Sequence, residues 1–132
     1  MSRSTIPIRI CSTLLTLALL TLALLSAAVC AALPPVHPVT NIRQIAGRWQ
    51  GQIKFGGGSY QLFYLTINRD GRLIASWDGI TRYGKVTLEG PRTRFSFYIW
   101  SGNLDYLEGN GNRVILMKED FSAWDALVRP LR

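Results

Sequence analysis

The sequence predicts an all-β domain, a small eight-stranded antiparallel up-and-down barrel, behind an N-terminal hydrophobic export helix. Three observations predict it. Beyond Gly47 the apolar residues recur with a period of two, the signature of a strand with one buried face. Turn signals rich in Gly, Asn and Asp interrupt that alternation at short intervals. No helical period separates the alternating runs, so the chain follows the pattern of a meander and not that of a βαβ fold.

The strands can be taken in order. Arg48 to Phe55 places Trp49, Gly51, Ile53 and Phe55 on one face and Arg48, Gln50, Gln52 and Lys54 on the other. Gly56-Gly57-Gly58-Ser59 supplies a turn, and Tyr60 to Asn68 makes a second strand with Phe63, Leu65 and Ile67 inward. Asn68-Arg69-Asp70-Gly71 closes the next hairpin on a glycine, which accepts a positive φ without steric cost. The third strand, Arg72 to Trp77, ends at Asp78-Gly79. After a loop through Arg82 and Tyr83, a fourth runs from Lys85 to Glu89 with Val86 and Leu88 facing in. Gly90-Pro91 breaks the chain before Thr93 to Trp100, where Phe95, Phe97 and Ile99 alternate with Arg94, Ser96, Tyr98 and Trp100. Leu104 to Glu108, Val114 to Lys118 and Ala123 to Arg129 complete the eight. Eight strands can close on themselves, which removes the open edges of a flat sheet. An open sandwich is the alternative.

Ahead of the barrel, residues 1–31 have the three parts of a secretory signal peptide. Arg3 and Arg9 precede an uncharged stretch from Ile10 to Leu33, and Val29 and Ala31 stand where a signal peptidase reads its −3 and −1 positions, so the expected cut follows Ala31 or Ala32. The same stretch is long enough to span a bilayer as an uncleaved anchor, and acylation of Cys30 is a third route. Each places the domain outside the cytoplasm: periplasmic or secreted, or held in the inner membrane with the domain beyond it. Residues 32–41 form a linker in which Pro34, Pro35 and Pro38 favour extended, unpaired backbone, and the barrel domain occupies residues 42–132. Asn41 to Ala46 can make one helical turn capped by Thr40 or Asn41.

Composition removes several functions. The formal charge of +7 includes Arg3 and Arg9 of the export segment, and the remaining basic residues stand singly, so no nucleic-acid stripe is present and membrane contact is expected only through the N-terminal segment. Both cysteines, Cys11 and Cys30, fall in the hydrophobic stretch, which leaves a processed domain without a disulfide and suits a bacterial periplasm. The one histidine, His37, lies in the linker, so neither a nucleophile–histidine pair nor a transition-metal cluster can be assembled in the barrel. Asp78, Asp105, Glu108 and Asp125 read as turn and surface carboxylates rather than as a catalytic pair. Gly56-Gly57-Gly58-Ser59 lacks the lysine and helix of a phosphate loop. No enzyme, metal or cofactor is expected.

Aromatic content carries the positive expectation. Trp77, Tyr83, Tyr98, Trp100 and Tyr106 exceed what a barrel of this size can bury beside Trp49, Phe63, Phe95, Phe97 and Trp124. With Arg94 they form the candidate contact set, suited to a protein partner or to the face of a sugar ring. The other reading is that alternation slips at the strand end and Trp100 packs beneath a loop.

The opening Gly47-Arg48-Trp49 resembles the Gly-x-Trp that begins the first strand of lipocalins and their calycin relatives. That resemblance implies a tryptophan plugging one end of the barrel under a basic residue from the last strand, a role that would fall to Arg129. Ala46-Gly47-x-Trp49 also resembles the start of bacterial periplasmic protease inhibitors, and Trp49-Gln50-Gly51 with Asp70-Gly71 and Trp77 resembles small secreted bacterial β-domains. Together these readings give an exported, non-enzymatic binding module for a small apolar molecule, a glycan or a protein partner, with a structural or inhibitor-like envelope protein as the alternative. A cavity of about 300 Å³ or more would favour a small molecule, and a filled interior would favour surface recognition.

Overall fold

The computed structural model describes residues 33–132, and Pro34–Arg132 make one compact unit. The export segment over residues 1–31, its cut after Ala31, and Cys11 and Cys30 lie outside the described residues. No helix of the described residues is long and apolar enough to cross a membrane.

Eight antiparallel strands close into a barrel in sequence order: β1 (Gly47–Phe55), β2 (Tyr60–Ile67), β3 (Arg72–Trp77), β4 (Ile80–Glu89), β5 (Arg92–Phe97), β6 (Trp100–Gly109), β7 (Asn112–Glu119) and β8 (Trp124–Pro130). Closure joins β1 to β8 from Trp49 opposite Pro130 to Phe55 opposite Trp124, which rules out the open sandwich. The expected period of two holds through the first three strands. Trp49, Ile53, Phe63, Leu65, Ile67, Leu73, Ala75 and Trp77 are all buried.

Three local expectations are corrected. β4 begins at Ile80, so Arg82 and Tyr83 belong to a strand and not to a loop, with Arg82 opposite Ala75 and Tyr83 opposite Ile74. β5 ends at Phe97, and Tyr98-Ile99 forms a two-residue turn. Ile99 therefore points away from the core, 76% exposed, while Trp100 opens β6. Tyr98 holds a φ of 56°, a conformation that a bulky residue adopts at a cost of about 1–2 kcal/mol. The ring itself offsets that cost: the Arg82 guanidinium lies 4.3 Å from its centroid, and Trp100 meets it edge-on at 5.4 Å.

The third correction concerns the linker. β5 pairs with β6 only from Arg94 opposite Asn103 to Phe97 opposite Trp100, so the later half of β6 has no β5 partner. The proline-rich segment takes that place. Val36 bridges Leu107, the His37 amide donates to the Tyr106 carbonyl at 2.7 Å, and the Glu108 amide donates to the Pro35 carbonyl at 3.1 Å. Proline cannot donate, yet Pro35 needs only to accept here, which is why a Pro-rich strap can still pair. A depression of about 300 Å³ remains between the strap and the diverging strands, bordered by His37, Arg92, Thr93, Asn103 and Asp105.

Because the strands alternate in direction, the barrel has two distinct ends. The Trp49 end carries the turns at Asn68–Gly71, Gly90-Pro91 and Asn110-Gly111. The Phe55 end carries those at Gly56–Ser59, Asp78-Gly79, Tyr98-Ile99 and Asp120–Ala123.

Trp49 seals its end. Its indole Nε1 donates to the Ile45 carbonyl at 3.0 Å, within the segment that the 3₁₀ turn Ile42–Gln44 folds across the opening. Asn41 and Gln44 cap that turn reciprocally, as the expected Asn41 cap requires. The covering cation is Arg113 of β7. Its guanidinium lies 5.0 Å from the Trp49 ring, and it donates to the Tyr106 hydroxyl at 2.9 Å and the Gln44 carbonyl at 2.8 Å. Arg129, expected in that role, is exposed. It follows Val128, which is buried, so strand parity turns it outward.

Candidate functional site

Eight strands leave an interior just wide enough for side chains to fill, and here aromatic rings fill it. Phe95 stacks on Phe97 at 5.7 Å, and Trp124 lies 5.3 and 5.5 Å from them. Above these, toward the Phe55 end, Trp77 and Trp100 pack at 5.8 Å, and Phe55 touches both. Phe97, Trp124 and Phe95 are almost wholly buried, whereas Phe55 and Trp100 keep part of their surface open at the rim. The result is an aromatic plug whose upper layer is buried at Trp77 and partly exposed at Phe55 and Trp100.

Polar groups stand in the same inward-facing layer. Gln61 precedes Phe63 by one strand period, Arg82 pairs with buried Ala75, and Glu119 pairs with Gly102. Glu119 is only 7% exposed, and its carboxylate accepts the amides of Phe121 (2.5 Å) and Ala123 (3.3 Å), shaping the β7–β8 loop. Among the described residues, three buried side-chain polar atoms lack a hydrogen-bond partner: Gln61 Oε1, Arg82 Nε and Trp124 Nε1. All three belong to this end of the barrel. Buried polar atoms are almost always paired in folded proteins, so three without a partner at one end set that end apart from the rest of the barrel.

The loops above the plug are apolar at their tips. Phe121 is 90% exposed and Tyr98 59%, with Ile99 beside it. The β7–β8 loop is tied to β6 by the Asp120 amide, which donates to the Ser101 carbonyl at 3.0 Å. Below it, Arg94 donates to both Asp120 carboxylate oxygens, at 2.7 and 2.6 Å, and to Asn103 at 3.0 Å. This pairing raises Arg94 above its ordinary pKa and holds the Asp120 carboxyl below the usual carboxylate range. The β7–β8 loop is thus braced from the outer wall.

The structure sorts the six candidate contact residues into three places. Trp77, Tyr98 and Trp100 come together at the Phe55 end, with Trp77 buried in the plug, Tyr98 on the rim and Trp100 between them. Arg94 and Tyr83 stand on the outer wall, Arg94 as the brace and Tyr83 74% exposed on β4. Tyr106 lies at the opposite end, edge-on to Trp49 at 6.4 Å. Sequence reasoning passed over Phe55, Gln61, Arg82, Glu119 and Phe121. For Gln61, Arg82 and Glu119 a signal existed: each is a polar residue on the apolar phase of its strand.

Open depressions also lie elsewhere, on the wall and at the Trp49 end. One of about 560 Å³ crosses β1, β7 and β8, bordered by Tyr60, Leu116, Lys118, Asp125, Leu127 and Arg129. No group of His, Cys, Asp and Glu among the described residues is arranged to hold a metal ion. Comparison with protein-family models, with curated proteins and with solved structures gave no match to this chain.

Proposed function

We propose that this chain is an exported, non-enzymatic binding module that recognises its partner by surface contact at the Phe55 end of the barrel. The observation that carries the reading is the pairing of a ring-filled interior with exposed apolar loop tips at one end. A cup that encloses a lipophilic molecule needs an empty interior, and Phe95, Phe97, Trp77 and Trp124 occupy that space. Recognition is then left to the outside, where Tyr98, Ile99 and Phe121 offer apolar area on the loops. Tyr98 supports the same reading. A glycine would adopt its left-handed φ without strain, so holding a large ring there favours a role for the ring. Export rests on Arg3, Arg9 and the uncharged stretch from Ile10 to Leu33.

Positional photo-crosslinking in intact cells tests this. A benzophenone amino acid at position 121 is expected to give a discrete adduct that is lost on Ile99→Asp. The same probe at position 69, in a turn of the Trp49 end, is expected to give none. Equal labelling from both ends would contradict a directed contact surface.

A further inference from the structure

We infer that the Trp49 end of the barrel carries a binding site for a phosphate monoester, seated on Arg113, Arg129 and Arg132; the site is separate from the Phe55 surface and goes beyond the reading above. A depression of about 430 Å³ lies where the β6–β7 turn meets the end of β8, bordered by Gly111, Asn112, Arg113, Arg129, Pro130 and Arg132. Three of the six bordering residues are arginines and none is acidic. Among the described residues, no carboxylate comes within ion-pair distance of any of the three. Glu108, opposite Arg113 in the β6–β7 ladder, lies 3.9 Å from His37 instead. Arg94, Arg72 and Arg82, by contrast, are already engaged: by Asp120, by Asp70 at 3.1 Å, and by the Tyr98 ring.

Fixed geometry separates Arg113 from an ordinary surface cation. Its Nε and Nη2 donate to Tyr106 and Gln44 while the guanidinium lies over the Trp49 ring, so the group is in place before any ligand arrives. Its Nη1 has no partner within the protein and, unlike the buried atoms of Gln61, Arg82 and Trp124, keeps surface open to solvent. A donor that is already oriented loses little freedom on binding. The opposite border is anchored too, since the Leu131 amide donates to the Arg48 carbonyl at 2.8 Å and keeps the end of β8 against the barrel.

The three forks set the ligand class. A carboxylate brings one charge and two oxygens, which two guanidinium groups saturate. A phosphate monoester brings nearly two charges at neutral pH and three terminal oxygens, one for each arginine. The depression is larger than a bare phosphate ion, so the ester can carry a body that lies along Pro130 and the Gly111 turn.

The test uses the barrel domain, Pro34–Arg132, a compact unit with its own core. Glycerol 3-phosphate and glucose 6-phosphate are the soluble probes, and vesicles of phosphatidylcholine with or without an equal part of phosphatidic acid present the same group on a lipid. In ¹⁵N-resolved spectra a soluble probe is expected to shift the Gly111 and Asn112 amides while Gly57 and Gly79, at the other end, stay unmoved. Calorimetry should then show roughly tenfold weaker binding for Arg129→Gln and for Arg132→Gln, each removing a charged hydrogen-bond donor. Arg69→Gln, which removes an equal charge from the same end but outside the depression, should bind as the parent does. Melting temperature of each variant separates lost binding from lost fold. Binding to the phosphatidic acid vesicles alone, lost on Arg129→Gln and kept on Arg69→Gln, would assign the phosphate to a lipid headgroup; binding of a soluble probe alone would assign it to a free ester. If no soluble probe moves Gly111 and the vesicles sediment without the protein, the site is overturned. Succinate shifting the same amides as strongly would overturn the phosphate assignment, and equal weakening by Arg69→Gln and Arg129→Gln would reduce the site to diffuse attraction and overturn it as well.

Discussion

Replacing Trp49 with alanine is expected to cost about 3–5 kcal/mol, a large share of the roughly 5–15 kcal/mol that holds a domain of this size together. The side chain is 2% exposed and is the lid of its end of the barrel. Removing it empties a space bounded by Ile45, Tyr106 and Arg113. It also takes the donor from the Ile45 carbonyl and the aromatic face from the Arg113 guanidinium. Arg113 is held by three contacts, so the loss spreads to the 3₁₀ turn through Gln44 and to β6 through Tyr106. Trp49→Phe keeps most of the buried area and loses the indole hydrogen bond, for which about 1 kcal/mol is expected. Urea titration checks both. A Trp49→Ala unfolding free energy within about 1 kcal/mol of the parent's would show that the lid is not what closes this end.

Gly102→Ala is the second large effect, about 3 kcal/mol for a single methyl group. A Cβ at this position would stand 2.0 Å from the Lys118 carbonyl oxygen and 2.6 Å from Cζ of Phe95. The first obstacle is backbone of the neighbouring strand, which cannot rotate away. The second is a ring already stacked against Phe97 and Trp124. Room for the methyl therefore requires β6 and β7 to part or the aromatic plug to shift. Gly57→Ala is the control, since a Cβ there meets nothing within 4 Å, and a change within about 0.5 kcal/mol is expected. Thermal unfolding of the two variants side by side decides the matter; equal melting temperatures would contradict the packing described here.

The barrel was legible because alternation and turn chemistry agree wherever the turns are made of the usual residues. Gly56–Ser59 and Asn68–Gly71 announce themselves, and the strands they bound came out correctly. Tyr98-Ile99 does not. Neither residue is a turn former, and the turn persists through a tertiary contact, Arg82 beneath the Tyr98 ring, that local sequence does not display. Missing it carried Trp100 onto the wrong strand and Ile99 into the core. Arg82 and Tyr83 looked like a loop because Arg-Tyr-Gly between Asp78-Gly79 and Lys85 has loop composition, although both residues ladder with β3.

The basic residue over Trp49 is a different case, because the sequence contained the answer. Val128 inward makes Arg129 outward, and Ile115 and Met117 inward make Arg113 inward. The last-strand assignment came from resemblance, and strand parity overrules it. The same parity rule, applied to Gln61, Arg82 and Glu119, would have drawn attention to the polar layer at the Phe55 end. What parity does not reveal is which of those polar atoms find partners, since that depends on loop amides and ring positions fixed only in the folded barrel.

Xenon pressurisation of crystals of the domain tests most directly whether the barrel is solid, because xenon enters dry apolar cavities of modest size and leaves close-packed interiors empty. With Trp49 sealing one end and Trp77, Phe97, Trp100 and Trp124 filling the other, no xenon atom is expected inside the strands. Xenon density between Trp49 and Trp124 would contradict a filled interior and favour an enclosed small molecule over surface contact.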